Sequence, residues 1–404
     1  MSKTPSIAVI PSGYKGAVSG ANGTVYSVIP TNGDADLDFT RDCVATRVNQ
    51  NGLLEEVGLN VPRLDYSDGG CPSLLLEPQR RNYGTDAIVG QIFGTVDVTN
   101  KVISPSGLID SIVPIPTSTA NRFQYVQSPS IFQTDDVLTY SWYRKRISTP
   151  IDDSNIGDLR IGIGSTSLVN LEVLGEAEQI ESDINGFDRF QQSVKVIDGS
   201  LSSTFRAYFG DVVGVGNQSV AYYGHQFELG SYATSLIYTS GTEVTRFKDE
   251  ASKDNLESYI NSSEGVLYVE MSSLNNPTDL NSYISLTDGE TDQQNYISLV
   301  YETNGNLTFR IRVDNVDSTF KTKTINQNEL NKIAFSYKEN EFKFFVNGSN
   351  FFADDNLGQT FPQGTLSKLS FDYANQSNNF RGKIKDLRVY NEALTDAELI
   401  TLTQ

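Results

Sequence analysis

Residues 332–348 read KIAFSYKENEFKFFVNG, and this stretch decides the fold. Ile333, Phe335 and Tyr337 fall at every second position, as do Phe342, Phe344 and Val346 after them. Successive side chains of a strand point to opposite faces, so each trio shares one face. The polar run 338–341 interrupts the alternation and reads as the tip of an antiparallel hairpin. Asn347-Gly348 then opens the next turn, because both residues tolerate the backbone that tight hairpins need.

The same pattern extends in both directions. GVLYVEM at 265–271, YISLVYE at 296–302 and NLTFRIRV at 306–313 read as strands, the last following the turn Asn304-Gly305. Upstream, LTYSWYRKR at 138–146 puts Leu138, Tyr140 and Trp142 on one face and Thr139, Ser141 and Tyr143 on the other. STFRAYFGD at 203–211 behaves alike. Trp142, the only tryptophan, falls at a core position by this alternation rather than on a sugar platform. Many short strands at this spacing predict an all-β chain with two antiparallel jelly-roll β-sandwiches. One helix signal closes the sequence. Thr395-Asp396-Ala397-Glu398 forms a capping box, and Leu394, Leu399 and Ile400 give the short C-terminal helix an apolar side to dock.

The 404 residues allow two or three domains. Three are expected: an N-terminal extended arm and collar over 1–82, a first sandwich over 83–245 and a second over 246–404. The first 40 or so residues are rich in Gly, Ser and Pro and resemble an arm that needs a partner surface to order it. Asn51-Gly52 marks a hairpin. In 60–82, NVPRLDYSDGGCPSLLLEPQRRN, Pro, Gly and Asp break any long element, and Leu74, Leu75 and Leu76 form an apolar plug.

A formal net charge of −19 repels phosphate backbones, so nucleic acid is not an expected partner. Cys43 and Cys71 make neither a disulfide framework nor a zinc site, and leave a reduced pair or one bridge open. The opening MSKTPSIAVIPSGYKG lacks the apolar core of a signal peptide, and no run of 18 apolar residues predicts a membrane span.

The chemistry in the sequence is sparse. His225 is the only histidine, so two-histidine relays are excluded, and no G-x-S-x-G elbow accompanies it. Glu178, Glu181 and Asp183 in EQIESDINGFD are the best paired carboxylates for glycan cleavage, but Asn185 stands where a third acid would follow. No catalytic residue is expected. Calcium is the one cofactor expectation, with oxygens from Asp288, Glu290 and Asp292 in SLTDGETDQQN and from Asp354 and Asp355 in FFADDNLG. A sugar site needs an aromatic with amides nearby. The loop DYANQSNNF at 372–380 offers Tyr373, Asn375, Gln376, Asn378 and Asn379 at an edge or tip of the second sandwich.

Three stretches carry a family resemblance. FTRDCVATRVNQNGLLEEVGLNVPRLDYSDGGCPSLLLEPQRRN at 39–82 resembles a module of structural proteins of tailed bacteriophages, notably those of Bacteroidota. YYGHQFELGSYATSLIYTSGTEVTR at 222–246 resembles the close of the first concanavalin-A-like domain in those proteins, departing at His225, Phe227 and Ile237-Tyr238-Thr239. FRGKIKDLRVYNEALTDAELITL at 380–402 resembles the terminal signature of laminin-G-like, concanavalin-A-like jelly rolls, with Gly382 leading into a strand that holds Asp386, Arg388 and Tyr390. The resemblance implies a head or tail fibre or appendage, made in the host cytoplasm and exposed on the virion. It would attach to other virion proteins by its N-terminal region, display sandwiches to a host glycan or receptor, and form a homotrimer. A capsule-degrading glycanase and a ligand-free decoration or joining protein are the alternatives. Fold alone separates none of these.

Overall fold

The computed structural model describes residues 3–13, 23–88, 91–93, 96–97, 99–113, 115–116, 123–125, 128–129, 132–147, 160–163, 171–198, 204–208, 220–274, 280–353, 358–374 and 377–404. Strands dominate them, and the α-helix among them is Asp396–Thr403. The chain divides into two compact units. One holds Met1–Cys43, Val57–Pro78 and Lys248–Gln404; the other holds Val44–Glu56 and Gln79–Phe247.

The first unit is a sandwich of two sheets, each eight-stranded among the described residues. The decisive hairpin lies in one of them. Asn331–Lys338 pairs antiparallel with Lys343–Val346, placing Ile333 opposite Val346 and Phe335 opposite Phe344. All six apolar residues of the hairpin are buried in the main core. Its other face is buried too, since Ala334 and Phe345 pack under Leu394 and Leu399 beside the C-terminal helix. That helix carries the expected capping box, with Thr395 and Glu398 each bonding to the other's backbone.

The sheet continues through Glu264–Ser273 and Gly382–Tyr390 to Ser73–Leu76 and Arg63–Asp65, while Ile7–Val9 pairs with the far end of Gly382–Tyr390. The facing sheet runs Thr24–Val25, Leu37–Thr40, Glu250–Lys253, Lys368–Ser370, Ser282–Thr287, Tyr296–Tyr301, Asn306–Val313 and Val316–Thr324. The described part of 1–78 within this unit is therefore not a separate arm and collar. Ile7, Val9, Leu37, Phe39, Leu74 and Leu76 belong to the same core as Phe309 and Phe335. The physical reason is plain in the ladders: short apolar runs too small to fold alone find unpaired sheet edges and bury against an existing core.

A buried charge network ties these segments together. Arg63 reaches Glu77 and Asp249, and Asp249 also receives Arg41. Asp249 further accepts the Glu77 amide at 2.8 Å. Cys43 is half-buried, Cys71 is exposed, and no disulfide joins them.

The second unit has an antiparallel sheet ordered Lys101–Ile103, Ile109–Ile112, Val220–Leu229, Val137–Arg146, Phe187–Val196 and Leu171–Ile184. Leu138, Tyr140 and Trp142 pack with Phe190, Val194 and Phe227 on one face, as the alternation predicts. Trp142 stacks between Tyr140 and Phe190 within that core, so it offers no platform to a ligand.

Candidate functional site

The outward face of the second sheet in the first unit holds the best site. Ile284, Leu286, Ile297, Leu299, Phe309 and Ile311 point into the core, so period-two alternation sends Tyr283, Ser285, Tyr296, Ser298, Arg310 and Arg312 the other way. Registers set them in rows. Ser285 faces Ser298, Ser298 faces Arg310, and Arg310 faces Phe320. In the adjacent row Tyr296 faces Arg312, and Arg312 faces Asp317.

The described part of the 371–380 segment lies over this face rather than at a tip. It is closed by Tyr373 N–H donating to Ser377 O at 2.9 Å and Phe380 N–H donating to Phe371 O at 2.7 Å. Asn379 bridges to Tyr283, and the Lys248 ammonium lies 3.5 Å from the Asn379 side chain. Tyr373 stacks on Tyr283 with ring centroids 4.5 Å apart, meets Tyr296 edge-on at 5.6 Å, and its hydroxyl is 3.2 Å from that of Tyr296. Asn378 holds a left-handed backbone, φ +51°, which Asn tolerates better than most residues. Asn375 and Gln376 lie outside the described residues.

Beside the tyrosines, one carboxylate holds two guanidiniums. Arg310 donates to Asp317 through Nε at 2.8 Å and Nη2 at 2.7 Å, and Arg312 Nε donates to the same carboxylate at 3.0 Å. These bonds, Arg310's first, hold the Asp317 carboxyl below the usual carboxylate range. The Arg310 guanidinium stands 5.8 Å from the centroids of both Tyr296 and Phe320. Phe320 is 52% exposed. Ser298 is buried, and its hydroxyl has no hydrogen-bond partner among the described residues. Aromatic faces, guanidinium edges and amides together can stack on apolar ring faces and bond to hydroxyls or carboxylates. Of this set the sequence alone points to Tyr373, Asn378 and Asn379. Tyr283, Tyr296, Arg310, Arg312, Asp317 and Phe320 were legible only as alternation within strands, once the inward face is known.

The other expected sites come apart. Asp288 accepts the Glu290 amide and the Asn295 side chain, while Asp292 accepts the backbone and side chain of Gln294. These carboxylates serve their own turns, and no group of three or more His, Cys, Asp or Glu converges among the described residues. Asp354 and Asp355 lie outside them.

In the second unit Glu181 accepts from the Tyr143 hydroxyl at 2.9 Å and from Arg189 at 3.3 Å, and Glu178 accepts from Gln191. Asp183 has φ +55° beside a register shift of its strand, so the regular alternation that would pair it with Glu181 fails there. A third acid, Glu228, is fully buried and accepts from Thr234 N–H and Gln226. Glu178 and Asp183 are exposed and Glu181 is half-buried, while Glu228 is covered, so these acids do not share one environment as a general acid and its partner must. His225 is buried with Nδ1 2.6 Å from the Tyr140 hydroxyl, and no serine or carboxylate takes that position. Burial lowers its pKa to about 3.

A cleft of about 650 Å³ between the C-terminal helix and the outer face of the first sheet is lined by Tyr268, Glu270, Asp386, Arg388 and Glu398 among others. Arg388 is spent on Asp386, through bonds of 3.1 and 2.6 Å. No helix among the described residues is long and apolar enough to cross a membrane.

Comparison with known proteins agrees with the fold. Residues 268–400 match the family described as the Concanavalin A-like lectin/glucanases superfamily. No curated protein matches the chain. Among solved structures, the CBM40 of the Ruminococcus gnavus IT-sialidase bound to alpha2,6 sialyllactose is 17% identical, with a TM-score of 0.32 over 37% of this chain and 92% of that one. Domain 4 of AbnA, an arabinanase of Geobacillus stearothermophilus in complex with arabinotriose, is 20% identical, with a TM-score of 0.32 over 43% of this chain and 81% of that one. The NanB sialidase of Streptococcus pneumoniae is 16% identical, with a TM-score of 0.32 over 38% of this chain and 26% of that one. Scores this low carry no functional argument.

Proposed function

We propose that this chain is a non-catalytic structural protein of a tailed bacteriophage virion, and that it binds host-surface glycan through the outer face built around Tyr283 and Tyr373. The observation that carries the binding role is the stacked, half-buried Tyr283–Tyr373 pair beside the Arg310–Asp317–Arg312 cluster. A plain polar turn has no need of a tyrosine stack continued by ordered guanidiniums. The virion placement is supported by the resemblance of residues 39–82 and 222–246 to phage structural proteins. In this reading the protein is a fibre or appendage, attached to other virion proteins and assembled as a homotrimer. The register shift that separates Glu181 from Asp183 and the burial of Glu228 lend no support to a glycanase.

The test is adsorption of the purified chain to host cells and to a glycan array, with Tyr373→Ala alongside. Binding is expected to fall about tenfold in the variant, the worth of one lost stacking ring, with the melting temperature little changed. Antibodies against the chain should block infection and label intact particles. Failure to adsorb, together with unblocked infection, leaves the ligand-free decoration reading in its place.

A further inference from the structure

We infer that the glycan taken by this face carries a carboxylate, as hexuronic acids do. The inference rests on the glycan reading above and adds the charge class of the ligand. The whole chain is strongly acidic, yet the cluster around Asp317 sets two guanidiniums against a single carboxylate, a local surplus of one positive charge. Glu302, the next acid on this face, accepts from the Thr308 hydroxyl at 2.7 Å and keeps its charge, but it stands four residues along the chain from Ser298, the register partner of Arg310. Arg312 spends Nη1 on Asn315 at 3.2 Å and points toward the end of the sheet where Asp288 and Asp314 cluster around Asn295. Arg310 is different. It occupies the middle row beside Ser298, and its bonds to Asp317 use Nε and Nη2 only.

The strand bearing Arg310 is two strands from the one bearing Tyr283, about 10 Å at ordinary strand spacing. A sugar stacked on the tyrosines therefore places a ring carboxylate within reach of the remaining guanidinium edge. A guanidinium bonds a carboxylate more strongly than it does a neutral hydroxyl, because both partners are charged. Asp317 meanwhile keeps Arg310 from swinging to solvent, so little ordering cost falls on binding.

The experiment titrates the full-length protein with hexuronic oligosaccharides of several stereochemistries. Each is compared with its own methyl ester and with the matching neutral hexose oligomer. The acid is expected to bind roughly tenfold more tightly than its ester, with the preference shrinking as salt rises. Arg310→Gln should erase the preference while leaving ester binding intact. Asp317→Asn keeps an oxygen that accepts from Arg310 but removes the competing negative charge, so it should raise affinity for the acid several-fold, an effect that a purely structural role for the cluster does not produce. Equal binding of acid and ester, or an acid preference that survives Arg310→Gln, overturns the inference and leaves the glycan reading standing. No binding of any acid, ester or neutral sugar overturns both.

Discussion

Arg41 Nη1 lies 3.0 Å from Asp249 Oδ1, and neither side chain has any solvent exposure. Arg63 takes the other oxygen of the same carboxylate and also reaches Glu77, giving two buried cations and two buried anions. The network joins three stretches of chain widely separated in sequence. Removing one anion leaves a guanidinium buried without its charge partner, which costs about 3–5 kcal/mol. Asp249→Ala is expected to lower the unfolding free energy of the first unit by that amount, and its urea midpoint in proportion. An unchanged midpoint would show that water or a rearranged Glu77 replaces the carboxylate at no cost.

The same geometry governs truncation. A chain beginning at Tyr83 lacks Ile7, Val9, Leu37, Phe39, Leu74 and Leu76, six side chains of the first unit's core. Each contributes about 1.5–3 kcal/mol when buried, and their sum is as large as the whole stability of an ordinary domain, about 5–15 kcal/mol. The truncated chain also bares strand edges along Gly382–Tyr390 and Glu250–Lys253, which invites aggregation. It is expected to be insoluble or to bind hydrophobic dye. A monomeric protein with native-like circular dichroism and a cooperative melt would refute this account of the N-terminal strands.

How much of this was legible in the sequence depended on how far apart the partners lie. Ile333, Phe335, Phe344 and Val346 declare their hairpin because the turn that joins them is local and alternation runs unbroken on both sides. Thr395 and Glu398 declare the helix start for the same reason. The destination of Ile7–Val9 was not legible, because its pairing with Leu387–Val389 spans nearly the whole chain and short apolar strands carry no label for their partner. The ligand face was half legible. Tyr373 stood out in a polar loop, but Arg310 and Tyr296 read as unremarkable strand residues until the register set them side by side.

The C-terminal helix offers a second stability test. It has eight residues, too few to hold together in water without its cap and its docking face. Thr395→Ala removes the hydroxyl that accepts from the Glu398 amide and is expected to cost about 1 kcal/mol. Leu399→Ala opens a void against Phe345 and Tyr390 and should cost more, about 2–5 kcal/mol. Equal losses in the two variants, measured by denaturant unfolding, would show that the helix is held by its cap rather than by its buried face.

His225 makes the second unit sensitive to acid, and the sign follows from which state binds the proton. In the folded protein burial holds the imidazole neutral down to about pH 3; in the unfolded chain it takes a proton near its ordinary value, about pH 6.5. The unfolded state therefore binds more protons throughout the interval between these two values. Stability is full above pH 6.5 and falls as pH drops, by up to roughly one kcal/mol for each pH unit. Most carboxylates titrate below about pH 5, so the interval from 6.5 to 5 isolates the histidine. His225→Gln keeps an acceptor for the Tyr140 hydroxyl and cannot titrate. It is expected to flatten the pH dependence of unfolding in that interval, whatever it does to stability at neutral pH. A slope that persists in the variant would mean that another group carries the proton linkage and that His225 reaches water before the unit unfolds.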